Sequence, residues 1–323
     1  MMAGLEELSD ATCVSIMAGV LPGVDVKMSH LDIVYEPGAD ASPQEWYNFT
    51  EIPKCHNQSF IILADPYSAN VENVLHGLDY AYGATVIGGF SSGVQFKGKT
   101  SLVCNSTIHS HGIVLVSLSG NIDVIPLVAQ GCRPIGDDLT ITDCSEVVLE
   151  KVDDKSPMHC LKSIAEDLND IDKTLLHQSL FLGVEMDSLS IDPDKREYLI
   201  RNIRGINPEN GALVVGDHLQ NGQNVRFHIR DPESSRDELT TIAENFGIKF
   251  QSRVCTGMMV FSCLGRLADF YGEQSVDASI INSVSEEAPL AGFFCSGEIG
   301  PVQGDTYIHG YTASAALFFE PIK

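Results

Sequence analysis

Two stretches of the chain, about 200 residues apart, close an apolar run in the same way, and this recurrence constrains the fold more than any other feature. Gly88-Gly-Phe90-Ser-Ser92-Gly93 and Gly292-Phe-Phe294-Cys-Ser296-Gly297 share the pattern Gly-x-Phe-x-Ser-Gly. Each copy ends a strand that follows a helix, and that helix follows another apolar strand, Phe60–Ala64 in one case and Met258–Ser262 in the other. Upstream, Val24–His30 and Val225–Arg230 each precede a Pro- or Ser-led helix at a similar offset. The fold expected from such an echo is α+β, with two related lobes, each a mixed or antiparallel β-sheet flanked by helices. A chain of 323 residues, at about 150 per domain, is long enough for two such lobes, and a cleft between lobes is the default place for a ligand.

Residue patterns fill in the elements. Apolar and β-branched runs predict strands at Thr12–Met17, Val24–His30, Ser59–Ala64, Thr85–Gly88, Gly112–Ser117 and Ile122–Val128. Further strands are expected at Glu146–Val152, Tyr198–Ile203, Ala212–Val215, Val225–Ile229 and Met258–Ser262, and one long extended stretch at Tyr307–Phe319. In Ala69–Tyr82 the residues Val71, Val74, Leu75, Leu78 and Tyr82 recur at three- and four-residue steps, which places them on one helical face. Helices are also expected at Met158–Leu168, Ile171–Leu180, Pro232–Phe246 and Val276–Val284.

Composition excludes several functions. Lys plus Arg number 20 against 44 Asp plus Glu, a formal charge of −24, so nucleic acid and anionic membrane surfaces are expected to be repelled rather than bound. Hydrophobic residues make up 44% of the chain, enough for globular burial rather than disorder. The apolar runs, such as Gly112–Leu118 and Ala288–Cys295, fall short of a membrane-spanning helix. The first ten residues carry Glu6, Glu7 and Asp10 and no basic residue, unlike a secretory signal. Nine cysteines with no C-x-x-C pair suggest reduced thiols in a cytoplasmic setting.

Chemistry-bearing residues gather in a few strings. Between Pro289 and Thr312, glycines at 292, 297, 300, 304 and 310 accompany Cys295, Glu298, His309 and Tyr311, a mixture of nucleophile, acid, base and hydroxyl donor. Arg133 follows a strand on a Gly and Pro turn, where a guanidinium could clamp a carboxylate. Arg230-Asp231 and Cys263 to Arg266 repeat the arrangement of polar groups at the end of an apolar strand. Phosphate-loop, nucleophile-elbow, H-E-x-x-H and dinucleotide patterns are absent. His109-Ser-His111 lacks a nearby third ligand and reads as a solvated pair rather than a metal site. No nucleophile, base and orienter follow a defensible spacing, so the chain is not expected to be an enzyme.

The string GFFCSGEIGPVQGDTYIHGYTASAALF from Gly292, with YLIRNIRGINPENGALVVGD from Tyr198, RFHIRD from Arg226 and VAQGCRPIG from Val128, resembles the FIST family, named for F-box and intracellular signal transduction proteins. The resemblance runs from about Cys13 to the end. It implies a FIST N-like region over 1–145, which lacks its usual start, and a FIST C-like region over 146–323. It also implies an intracellular sensor for small ligands such as amino acids. Some members similar in sequence bind haem and report nitric oxide to histidine kinases, and some carry an F-box that recruits ubiquitin ligase. Neither a kinase partner domain nor an F-box-like segment is evident here, so output is expected through a separate signalling protein.

The recurrent polar positions that the resemblance marks are Arg133, Arg201, Asn202, Asp217, Arg230, Asp231, Cys263, Arg266, Glu298, His309 and Tyr311. On this reading an anionic or zwitterionic, amino-acid-like ligand is held by Arg133 with Arg230 or Arg266, while Glu298 and His309 orient it in one shared cleft. No cofactor is required. The alternatives are a haem-binding nitric oxide sensor with His309 or another histidine as axial ligand, an adaptor linked to ubiquitin ligase, and an enzyme using Cys263 or Cys295 with His309 as base.

Overall fold

The helical spacing over residues 71–82 forms a helix whose apolar stripe, Val71, Val74, Leu75, Leu78 and Tyr82, is buried. Gly77, a poor helix former by itself, sits where a Cβ would come within 2.2 Å of the Trp46 ring, so its bare backbone is what lets the neighbouring helix pack. The computed structural model describes residues 1–8, 13–38, 40–68, 70–93, 96–186 and 198–321.

The chain opens with β1 (Met2–Ala3) and β2 (Glu6–Glu7), followed by β3 (Val24–Leu31), α1 (Pro43–Thr50), β4 (Gln58–Ala64), α2 (Val71–Tyr82) and β5 (Thr85–Phe90). A small hairpin, β6 (Leu102–Cys104) and β7 (Thr107–His109), leads to β8 (Ile113–Gly120) and β9 (Asp123–Ala129). Then come β10 (Arg133–Ser145), β11 (Val148–Val152), α3 (Pro157–Asp167), α4 (Asp170–Gln178), β12 (Leu180–Glu185), β13 (Tyr198–Ile206), β14 (Leu213–Val215) and β15 (Asn224–Ile229). The long α5 (Pro232–Phe250) precedes β16 (Cys255–Cys263), α6 (Ala268–Tyr271), α7 (Val276–Asn282) and β17 (Leu290–Cys295). The chain closes with β18 (Glu298–Val302), β19 (Asp305–His309) and β20 (Ala313–Phe319).

The fold is α+β, and the repeat read from the glycine strings is real at the level of topology. One sheet runs β19-β18-β5-β4-β8-β3 and a second β2-β1-β17-β16-β20-β9. Strand for strand the two agree: β4 and β5 are parallel, as are β16 and β17, and every other neighbour is antiparallel. The shared glycines occupy matched places. A Cβ on Gly88 would lie 1.8 Å from the Ile62 carbonyl oxygen, and one on Gly292 would lie 2.1 Å from that of Val260. In each sheet the glycine lets the parallel neighbour approach closely.

The two sheets face each other across a core that includes Ile61, Ile87 and Leu118 from one and Phe261, Cys295 and Phe318 from the other. α1 and α2 cover the first sheet, and α5 and α7 the second, so the layers run helix, sheet, sheet, helix. These elements make one compact unit, residues 1–129 with 236–323. The other compact unit, residues 130–235, is a closed barrel in the order β10-β11-β14-β13-β12-β15 with its own core.

Several expectations are corrected. Of the strand expected at Thr12–Met17, Thr12 lies outside the described residues and 13–17 form no strand. The upstream half of the echo fails, because Val24–Leu31 edges a sandwich sheet while Asn224–Ile229 belongs to the barrel; the place of β3 in the second sheet is taken by β9. Tyr307–Phe319 is interrupted at Tyr311, whose φ of 64° turns the chain between β19 and β20. Arg133 opens a strand rather than sitting on a turn, because barrel closure demands a long β10 whose register shifts between Ile135 and Leu139. α1 was missed by periodicity, although its start carries a capping box in which Glu45 accepts from the Ser42 backbone N–H.

Candidate functional site

The carboxyl ends of β16 and β17 carry Cys263 and Cys295, which are direct register partners. β18 begins at Glu298, which is paired with Gly89 of β5 on one side and with His309 of β19 on the other. Cys263, Arg266, Glu298, His309 and Tyr311 therefore lie together within the sandwich unit, without the Arg133 and Arg230 expected beside them, which belong to the other unit.

Glu298 is the unusual member. Its side chain is 0% exposed, Oε2 accepts the Thr312 N–H at 3.1 Å, and Oε1 has no hydrogen-bond partner. Burial pushes its pKa up to about 8, against the opposing pull of the Thr312 N–H, the Cys263 thiol and the Arg266 charge. Burial thus favours the protonated acid over the carboxylate. His309 is 3% exposed, and its Nε2 donates to the Gly300 carbonyl at 3.0 Å. Burial also drives the Cys295 thiol well above its ordinary pKa, with Glu298 and Cys263 adding to the effect.

Arg266, on the turn after β16, is fully buried and held from two sides. Its Nε meets Asp277 Oδ2 at 2.8 Å and its Nη2 meets Oδ1 at 3.0 Å, while Nη1 donates to the Tyr311 carbonyl at 3.2 Å. Burial works against its charge and the Asp277 carboxylate overrides that, leaving the guanidinium above its ordinary pKa. Asp277 also accepts Ser262 Oγ at 2.6 Å and the Tyr271 hydroxyl at 2.9 Å. Arg266 is thus a core ion pair and not a ligand clamp. Asp277 went unremarked in the sequence, its only signal being an acid in the first turn of a helix that also buries its apolar face.

The remaining expected residues lie in the barrel unit. Arg133 donates through Nε to Asp231 at 2.8 Å and through Nη2 to Asp172, so the clamp role fails there too. The Asp172 hydrogen bond raises the Arg133 pKa. Burial alone would raise that of Asp231, but the Ser234 N–H and Arg133 hold it low. Arg201 pairs with Asp217 at 2.6 Å. Arg230 is buried, with its carbonyl accepting Ser179 Oγ at 2.9 Å, and Asn202 is exposed on β13. The barrel also holds His228, within the string RFHIRD, whose pKa burial pulls down to about 4. Its Nδ1 donates to the Arg226 carbonyl at 3.0 Å.

The geometry bears on one residue of each of two alternatives, His309 and Cys295. His309 does not fit as a haem axial ligand, since its ring is enclosed and its Nε2 proton is committed to Gly300. A thiol raised by burial is the reverse of an activated nucleophile, which argues against Cys295 in that role. At the opposite ends of β4 and β5 an open hollow of about 410 Å³ is lined by Cys55, His56, Tyr82, Thr85 and Asp123. His109 stacks on His30 at 3.5 Å between ring centroids and His111 lies 3.6 Å from Asp32. Among the described residues no group of His, Cys, Asp and Glu has an arrangement that could hold a metal ion. Nor is any helix among them long and apolar enough to cross a membrane.

Comparison with known proteins agrees with the resemblance seen in the strings. The family model described as FIST N domain matches residues 7–155, and that described as FIST C domain matches residues 160–301. An uncharacterised protein of Mycobacterium tuberculosis is 32% identical over 320 residues, covering 99% of this chain and 81% of that protein. An uncharacterised protein of Mycobacterium bovis is 31% identical over 264 residues, 81% of this chain and 68% of its own. FIST domains are regarded as sensor domains of signal transduction, and the two matched regions together with these relatives make this chain a member of the FIST family.

Proposed function

We propose that the chain is a cytoplasmic sensor module whose small-ligand site is built around Glu298, and that the ligand is amino-acid-like with its ammonium directed at that carboxyl. The observation that carries this reading is the Oε1 atom of Glu298, buried without a partner at the carboxyl ends of a parallel strand pair, where α/β folds gather their binding groups. A buried polar atom left unpaired is costly and needs a reason, and a ligand's hydrogen bond supplies one. The net charge of −24 favours a cationic group over an anion, and of the arginines Arg133, Arg230 and Arg266 expected to hold an anion, Arg133 and Arg266 already hold carboxylates of the chain. None of the nine cysteines is in a disulfide, in keeping with a reducing compartment.

Because Glu298 is enclosed, binding requires the site to open, and a ligand that favours the open or reclosed form shifts the population that a separate signalling protein reads. An ammonium at Glu298 favours the carboxylate and expels its proton. Titration calorimetry with an amino-acid panel, run at pH 7 in buffers of different ionisation enthalpy, should therefore show binding coupled to release of about one proton. Glu298→Gln should abolish that release and weaken binding at least about tenfold. No heat from any member of the panel, with protein shown to be folded, would overturn the reading.

A further inference from the structure

β3 ends its sheet. β8 pairs with it from Val24↔Gly120 to Leu31↔Ile113, and among the described residues no strand pairs with its other side. The Asn121 N–H donates to the Gly23 carbonyl at 3.0 Å, which sets the phase of this antiparallel ladder. Backbone groups of Asp25, Lys27 and Ser29 face β8, and those of Val24, Val26 and Met28 face outward. The Asp65 N–H bonded to the Gly112 carbonyl at 2.9 Å gives the same phase from the far side of β8. The His30 end of the edge is taken by the β6–β7 hairpin, through the His30–His109 stack, which leaves Val24–Met28 open except for the Val24 N–H, which donates to the Leu21 carbonyl at 3.3 Å.

The side chains of this open stretch are self-complementary. Val24 packs into the core between the sheets, and Val26 and Met28, on the same face, are 48% and 40% exposed. Asp25 and Lys27 lie on the opposite face, 3.7 Å apart between Oδ2 and Nζ. A lone lysine on an edge strand would discourage pairing. Here a lysine and an aspartate two residues apart form opposite-charge pairs across the two-fold in one register. An antiparallel two-fold centred on Val26 sets Val26 against Val26 in a hydrogen-bonded pair, Val24 against the second copy's Met28, and Asp25 against the second copy's Lys27. Centring on Lys27 would oppose two ammonium groups, a destabilising cross-strand pair, and centring on Met28 would leave Asp25 facing Leu31.

We propose that Val24–Met28 is a homodimerisation edge, where a second copy of this chain adds its own β3 antiparallel about Val26 and continues the sheet across the two-fold. A five-residue edge buries less than the ~1,200 Å² of stable interfaces, so the dimer is weak and concentration-dependent. Sedimentation velocity from about 1 to about 200 µM should show a monomer–dimer equilibrium. Lys27→Asp should raise the dissociation constant at least tenfold, and the double swap Asp25→Lys with Lys27→Asp should restore it to within about threefold. Val26→Pro removes an outward N–H that β8 does not use, and should dissociate the dimer with circular dichroism unchanged. A wild-type monomer throughout this range, or a dimer indifferent to both Lys27→Asp and Val26→Pro, would overturn the proposal.

Discussion

Glu298 and His228 are buried groups whose charged forms the fold disfavours, and they tilt stability in opposite directions with pH. Glu298 goes from an ordinary value of 4.5 to about 8, so the folded chain holds a proton that the unfolded chain releases. Its contribution is complete below pH 4.5 and is lost as pH rises towards 8, a change on the order of 5 kcal/mol. His228 goes from 6.5 to about 4; the unfolded chain takes up a proton first, and roughly 3 kcal/mol is lost as pH falls from 6.5 towards 4. Thermal denaturation of Glu298→Gln should flatten the loss of stability between pH 5 and about 8, and an unchanged slope would mean that Glu298 is ionised in the fold. His228→Gln should flatten the acid limb alone. Glu298, His309 and Cys263 were legible in the sequence as chemistry-bearing types beside glycines. The carboxylates that neutralise the arginines, Asp277 for Arg266 and Asp172 for Arg133, were not, because each pair is closed by packing rather than by local pattern.

At the scale of elements, the repeated strand-helix-strand unit rests on one glycine per sheet. Gly88→Ala and Gly292→Ala each drive a Cβ into a neighbouring carbonyl oxygen, and each should cost several kcal/mol and lower the melting temperature by more than ~10 °C, or prevent folding. Gly205→Ala in β13, where the nearest atoms stand 3.9 Å away, should change stability by less than about 1 kcal/mol. Parity between the three variants would remove the close-approach argument. Amphipathic helices and alternating strands were readable because their periods are short. β10 was not, since its Gly136, Asp137 and Asp138 look like a turn and its strand pairing comes from β15, about 90 residues away in sequence.

For the molecule as a whole, chain order and compact units disagree. The first sheet borrows β18 and β19 from the end of the chain, and the second borrows β1, β2 and β9 from its start. The region matched as FIST N, residues 7–155, taken alone would leave β5 without its β18 neighbour. The barrel, residues 130–235, has a closed sheet and its own core, and expressed alone it should unfold in one cooperative thermal transition. A fragment without a transition would show that the barrel depends on the rest of the chain.

The sequence by itself determined the α+β class, the repeat with its matched glycines, most strand and helix positions, and the family, because these follow from local periodicity and from strings that survive as strings. Tertiary structure alone decided that the two related sheets exchange hairpins and that Arg133 and Arg266 are spent on internal carboxylates. It also decided that Glu298 is enclosed, where burial disfavours its charged form. Burial and ion pairing depend on which distant segments meet, and a solvation cost exists only once those segments have excluded water.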